Sequence, residues 1–302
     1  MASEIKNRDV DFWYDLMLRT AKKAYSAIKE MVGTKQAREV SEEGTRGAGG
    51  DITLKIDEVA EQIIMNELEI AGVPMKIVTE ETGEYIIMED VYNKRGLQDV
   101  LSIDPIDGSH NAVMGFPVSA ISIAHANGYK LKDVDCGIVM NIYSGDLYSA
   151  IDGRGAFKNG VKITVNDNET IRKSMFGISL SLNEPLPGFA QRYSFIFNTA
   201  LKIRSFGSNA LGFCFLAEGS LDTFLDLQKK CRSFDIAAGY IILKEAGGTM
   251  WDLNGKILDS PLDLTTRIAF ICLNKGLVNY FKPKLTQFSE AFKSQPKFSD
   301  VI

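Results

Sequence analysis

Residues 103–111 read Ile-Asp-Pro-Ile-Asp-Gly-Ser-His-Asn, and no other stretch constrains the fold of this 302-residue chain as strongly. The apolar run Val100 to Ile103 reads as a strand that stops on an acid. Pro105 fixes φ and stiffens the turn that must follow, so the turn can aim Asp104 and Asp107 at one point. Gly108 permits close backbone approach, and the amides of Gly108, Ser109 and His110 could bind an anion where a helix begins. An ordinary Asp/Gly turn held by Asx hydrogen bonds is the competing reading of the same residues.

A second short apolar run, Met75 to Val78, ends in Glu80-Glu81. Ligands of mixed α/β proteins collect at the C-terminal ends of strands, so acids delivered to two such ends are informative. Ahead of them, Phe12, Leu16, Ala24, Ile28 and Met31 form an amphipathic helical stripe. Gly33 to Gly50 reads as a surface loop, and Asp57 opens a second helical pattern through Val59, Ile63 and Leu68. Val118 to Ala126, Cys136 to Ile142 and Asp146 to Ile151 read as strands, the last two joined by a Ser144-Gly145 hairpin, and Asn159-Gly160 marks another tight turn.

After about residue 165, strands (Met175 to Leu182, Leu221 to Leu225) alternate with helices that start at Ser208 and near Asp235, the latter closed by Gly247-Gly248. The change of pattern predicts an N-terminal α+β domain over 1–160 and a C-terminal α/β domain over 161–302.

Composition narrows the chemistry. With 34 basic and 39 acidic side chains the net charge is −5, which argues against a nucleic-acid or anionic-membrane binder. The longest apolar run, Ile268 to Leu273, is far short of the roughly 20 residues of a membrane span. The start Met-Ala-Ser-Glu carries no apolar leader segment, and four cysteines without C-x-x-C spacing suit a reducing cytoplasm better than a disulfide scaffold. With His110 and His125 as the only histidines, a Cys/His zinc site is disfavoured, and any bound metal is expected to have oxygen ligands.

Four segments together resemble the inositol monophosphatase family. Asp104 to Asn111 is similar to its D-P-[IL]-D-G-T-x-N signature, and Phe234-Asp235-Ile236-Ala237-Ala238-Gly239 to its W-D-x-A-A-G motif. Thr79-Glu80-Glu81 resembles G-E-E, and Thr53 to Asp57 resembles V-T-x-x-D, all in family order over about residues 10–275. The resemblance implies a five-layer α-β-α-β-α sandwich, usually dimeric, and Mg²⁺-dependent hydrolysis of a phosphate monoester. It puts Glu80, Asp104 and the Ile106 carbonyl on one Mg²⁺, and Asp104, Asp107 and Asp235 on a second. Glu80 would help hold a weaker third ion carrying the attacking water, with Ser109 and Asp57 orienting and deprotonating that water. Elementary chemistry agrees, since Mg²⁺ takes oxygen ligands and clustered carboxylates repel without a cation. Ser109 and Phe234 replace the family's usual Thr and Trp, and His110 replaces a small polar residue.

Substrate contacts are less sharply marked. Gly207-Ser208-Asn209 resembles a family segment that approaches the sugar, although Ser208 also reads as a plain helix cap. Asp226 is a candidate hydroxyl-binding carboxylate, though its interval to Asp235 is longer than in the animal enzymes. Lys229, Lys230 and Arg232 could hold a second phosphate, as in archaeal members that also hydrolyse fructose 1,6-bisphosphate, or could be solvated surface charges. Arg46 could reach over the phosphate from the loop. The expected substrate is thus inositol 1-phosphate or fructose 1,6-bisphosphate. A 3′-phosphoadenosine nucleotide phosphatase and a non-catalytic interaction protein of the same fold are the alternatives.

Overall fold

The computed structural model describes residues 9–40, 47–48, 53–180 and 186–294. Its first sheet has eight strands, β1 (Met75–Thr79), β2 (Gly83–Ile87), β3 (Asp99–Asp107), β4 (Ala120–Asn127), β5 (Val134–Asn141), β6 (Leu147–Ile151), β7 (Gly155–Lys158) and β8 (Val161–Ile163), in the order 2-1-3-4-5-6-7-8. The β1–β3 pair is parallel and the other pairs are antiparallel. The second sheet comprises β9 (Met175–Ser179), β10 (Lys202–Arg204), β11 (Thr223–Arg232), β12 (Thr249–Trp251) and β13 (Arg267–Leu273), in the order 10-9-11-13-12.

The helices are α1 (Val10–Ile28), α2 (Lys55–Ala71), α3 (Glu89–Arg95), α4 (Ser109–Met114), α5 (Leu186–Arg192), α6 (Ser194–Phe197), α7 (Asn209–Ala217), α8 (Ala237–Glu245), α9 (Val278–Phe281) and α10 (Leu285–Lys293). Three apolar cores show how they stack. One joins α1 and α2 to a face of the first sheet through Trp13, Leu16, Ile64, Leu101 and Ile123. The middle core packs α7 and α8 between the sheets, with Val100, Phe213, Ile241 and Phe270. The outermost sets Phe189, Tyr193, Phe281 and Phe288 against Phe176 and Ile271 of the second sheet. The layers are therefore α-β-α-β-α, as the resemblance implies.

Burial on both faces explains why β3 and β4 lack the strict apolar–polar alternation of a half-exposed strand. Helix α8 lies against β5 at Gly137, where a Cβ would stand 2.6 Å from Ile241 Cγ2 and 2.9 Å from Ala238 Cα. The expected tight turn at Asn159-Gly160 is a two-residue hairpin loop with φ of +50° and +79°. Element ends also shift. The opening helix stops at Ile28, and the strand expected over Leu221 to Leu225 extends to Arg232 because it pairs along β13.

Candidate active site

The strand end that opened the sequence reading is irregular in a consequential way. Across β3 and β4, Asp104 pairs with Ser122 and Asp107 with Ala120, so three steps on β3 are matched by two on β4. A regular strand would point residues three apart to opposite faces, and the one-residue bulge at Pro105-Ile106 restores them to the same face. Pro105, lacking an amide to donate to the ladder, suits that bulge. The next residue, Gly108, has φ +91°, and a Cβ there would lie 2.8 Å from the Gly207 carbonyl oxygen. Two distant segments of chain touch at this turn because it has no side chain.

The bulge faces a cleft of about 570 Å³. Its lining brings together Asp57, Glu80, Asp104, Ile106, Asp107, Gly108, Ser109, Gly207, Asn209, Arg232 and Asp235, with His110 exposed on the same wall. Ser109 Oγ donates to Asp57 Oδ1 at 2.7 Å and approaches the Ile106 carbonyl at 3.0 Å. Asp57 also accepts from the Leu54 amide at 3.2 Å, which ties the hydroxyl–carboxylate pair to the start of α2. Burial, opposed by the Ser109 bond and reinforced by the charges of Glu81 and Glu80, pushes the Asp57 carboxyl up to about 8.

The other acids are similarly unsettled. Asp104 is held well above the usual carboxylate range by burial and then by Glu80, Asp107 and Asp235, and its buried Oδ1 has no hydrogen-bond partner. Burial moves Asp107 to about 6 despite three donors, the Ser208 hydroxyl and the amides of Asn209 (3.0 Å) and Ala210 (2.7 Å). Asp235 is raised by burial, with Arg232 opposing. An orphaned buried carboxylate oxygen among mutually repelling carboxylates is the donor set of a hard, oxygen-ligated cation, so these residues fit Mg²⁺.

Several expected contacts fall elsewhere. Ser208 is 3% exposed, and its hydroxyl caps α7 and donates to Asp107 instead of facing the main cleft. Asp226 does not line the cleft. Its carboxylate accepts from the amides of Gln228 (2.9 Å), Lys229 (2.8 Å) and Cys231 (3.2 Å), closing a bulge in β11 between Asp226 and Cys231. The longer interval before Asp235 is thus backbone that Asp226 organises. Lys229 and Lys230 are exposed on that bulge. Arg232 turns inward, with Nε 3.1 Å from both oxygens of Asp235 and Nη2 in an ion pair with Glu80. Arg46 lies outside the described residues.

Two acids at the site had no role assigned from sequence, although Glu81 stood in the Glu80-Glu81 strand end. Glu81 lines the cleft, accepts from the Thr53 hydroxyl and is pushed by burial to about 7. Glu61, on the buried face of α2, accepts from Thr79 Oγ1 at 2.7 Å and the Thr82 amide at 3.2 Å, which brackets Glu80 and Glu81. Its one sequence signal was an acid four residues after Asp57, between the apolar positions Ala60 and Ile64. The expectation against nitrogen and sulfur ligands also meets a qualification. Among the described residues, ligand atoms of His125, Asp135 and Cys136 lie within 4.8 Å of one another. A bulge at Asp135 opposes both Asp135 and Cys136 to the His125 region, a proximity that linear spacing does not reveal.

Fold and cleft define a five-layer α/β protein with a carboxylate site suited to a hard cation. Residues 9–285 match the inositol monophosphatase family, and the chain belongs to it. A bifunctional NADP phosphatase/NAD kinase of Methanococcus maripaludis is 32% identical over 87% of this chain, which spans 47% of that relative's length. A fructose-1,6-bisphosphatase/inositol-1-monophosphatase of Methanothermobacter thermautotrophicus is 32% identical over 88% of this chain and 94% of its own. The crystal structure of an inositol monophosphatase–fructose 1,6-bisphosphatase superposes with TM-score 0.76 at 28% identity, covering 90% of this chain and 99% of the other. Among the described residues no helix is long and apolar enough to cross a membrane.

Proposed function

We propose that the chain hydrolyses a sugar or inositol phosphate monoester, inositol 1-phosphate or fructose 1,6-bisphosphate, with Mg²⁺ held by Glu80, Asp104, Asp107, Asp235 and the Ile106 carbonyl. The observation that carries this reading is the Ser109–Asp57 pair, 2.7 Å apart, on the same cleft wall as the orphaned Asp104 Oδ1. When bound, two or three Mg²⁺ ions supply charge neutralisation at the phosphoryl group and lower the pKa of water. Ser109 Oγ orients the attacking water, and Asp57, reached through that hydroxyl, accepts the proton. Without a metal, burial keeps the Asp57 carboxyl protonated near neutral pH, and cations held nearby would lower its pKa and leave it free to accept. Gly108 and Asn209 border the space where the ester would lie.

The names of the similar proteins, which include NADP phosphatase as well as fructose-1,6-bisphosphatase and inositol-1-monophosphatase, support a phosphatase and leave the ester to experiment. We further propose two units, 1–160 with most metal ligands and 161–302 with Asp235, in a cytoplasmic homodimer. The four cysteines are buried and free, in keeping with a reducing compartment.

The test is phosphate release at fixed Mg²⁺ from inositol 1-phosphate, fructose 1,6-bisphosphate, NADP and adenosine 3′,5′-bisphosphate, alongside melting with and without Mg²⁺. Release from either of the first two, and a Mg²⁺-induced rise in melting temperature that is lost in Asp104→Asn, is the expected result. Release from a nucleotide alone would replace the substrate assignment. Absence of release from all four would leave the interaction protein as the better reading.

A further inference from the structure

Arg232 is the one Lys or Arg among the described residues lining the cleft. Its side chain is 9% exposed, and it grips the acidic cluster at two points. Nε lies 3.1 Å from both Asp235 oxygens, Nη2 is paired with Glu80, and the Arg232 amide donates to Asp235 Oδ2 at 3.1 Å. The guanidinium also stacks on Phe234, with Cζ 4.8 Å from the ring centroid. Glu80 follows β1 in the first sheet, whereas Asp235 precedes α8, so one cation spans carboxylates from separate elements. Both are among the proposed Mg²⁺ ligands, on which this inference rests.

A guanidinium and a divalent ion cannot share these largely buried oxygens at close range without strong repulsion. Arg is also permanently charged, so it cannot yield by losing a proton. It can yield only by moving. We infer that Arg232 is a built-in counter-cation that competes with the divalent metal ion for Glu80 and Asp235, and that metal binding releases its guanidinium to a phosphate dianion in the same cleft.

Two consequences follow. With Arg232 present, metal affinity is lower than the carboxylates alone would give. Metal and phosphate also bind cooperatively, because the metal frees the group that the phosphate uses, and such coupling is reciprocal. An arginine whose sole task is to brace the two carboxylates predicts the opposite, since its removal would loosen the metal ligands.

Isothermal titration of the full chain with MgCl₂, with and without inorganic phosphate, decides between them for wild type, Arg232→Gln and Arg232→Lys. We expect Arg232→Gln to bind Mg²⁺ about tenfold more tightly than wild type without phosphate. Phosphate should tighten Mg²⁺ binding in both proteins through direct contact with the metal, and by a clearly larger factor in wild type than in Arg232→Gln, where the freed guanidinium is missing. Arg232→Lys, which keeps the charge but not the fork, should fall between the two. Equal or weaker Mg²⁺ binding by Arg232→Gln would overturn the inference while leaving the phosphatase reading intact. A wild type that bound no Mg²⁺ at all would overturn both. If the variants fail to fold, NMR of wild type decides: Mg²⁺ should shift the Arg232 Nε–H resonance and speed its exchange, and an unchanged resonance counts against displacement.

Discussion

Replacing Asp57 with Asn should remove activity and, over a defined pH range, stabilise the fold. Asp57 is 2% exposed, and burial raises its carboxyl pKa from 3.8 to about 8. Between those values the folded state keeps a proton that the unfolded chain releases, so stability falls as pH rises from about 4 to about 8 and levels off above. Each pH unit in that window is worth about 1.4 kcal/mol, which amounts to about 4 kcal/mol at pH 7. Asn has no such proton to retain. Against this, its amide nitrogen cannot accept the Leu54 N–H, which costs about 1–3 kcal/mol. The variant should therefore match wild type near pH 5 and exceed it by on the order of 2 kcal/mol at pH 7. Urea unfolding in EDTA at pH 5, 6, 7 and 8 measures the difference, with Mg²⁺ absent so that the carboxylates are compared alone. Phosphate release should meanwhile fall about 10²- to 10⁴-fold, since Ser109 loses its proton acceptor. If the stability difference stayed constant across the pH series, the raised carboxyl would be the wrong account of this site. A fully active variant would remove Asp57 from the proton path.

Two further perturbations probe the frame around the site. His125 is 1% exposed, stacks on Trp13 at 4.4 Å, and has Asp135 2.7 Å from Nδ1 and Asp99 3.2 Å from Nε2. Burial lowers its pKa, but the two carboxylates outweigh that and hold it above 6.5. Its stabilisation is therefore complete below about pH 6.5 and is lost as pH rises through the raised folded value. His125→Gln should cost on the order of 3 kcal/mol at pH 6 and less at alkaline pH by chemical denaturation, and a pH-independent cost would refute a buried imidazolium. Gly137→Ala drives a methyl into α8 and should cost about 1–3 kcal/mol or more. Gly188→Ala, in α5 with only Arg192 Nη1 at 3.7 Å, should gain about 0.5–1 kcal/mol, and equal effects at the two sites would contradict the packing described.

Most of what identifies the family lies in local sequence. Asp104, Asp107, Glu80 and Asp235 are legible because each stands beside residues with strong local meaning: Pro105, Gly108, a strand end or a helix start. The proposed oxygen ligands are legible too, because two histidines and scattered thiols leave oxygen as the ready donor, although folding also brings His125, Asp135 and Cys136 together. Tertiary structure decided where those groups point and which were already occupied. Strand parity depends on the register with β4, and the bulge that puts Asp104 and Asp107 on one face exists only in that pairing. Buried amides must find acceptors, and so Asp226 went to the amides of Gln228 and Cys231 in the β11 bulge and the Ser208 oxygen to the Leu211 amide of its own helix, its hydroxyl donating to Asp107. Arg232 read from sequence as a possible phosphate ligand. Folding set it against Glu80, 152 residues away along the chain, because a buried guanidinium needs carboxylate partners wherever the fold supplies them.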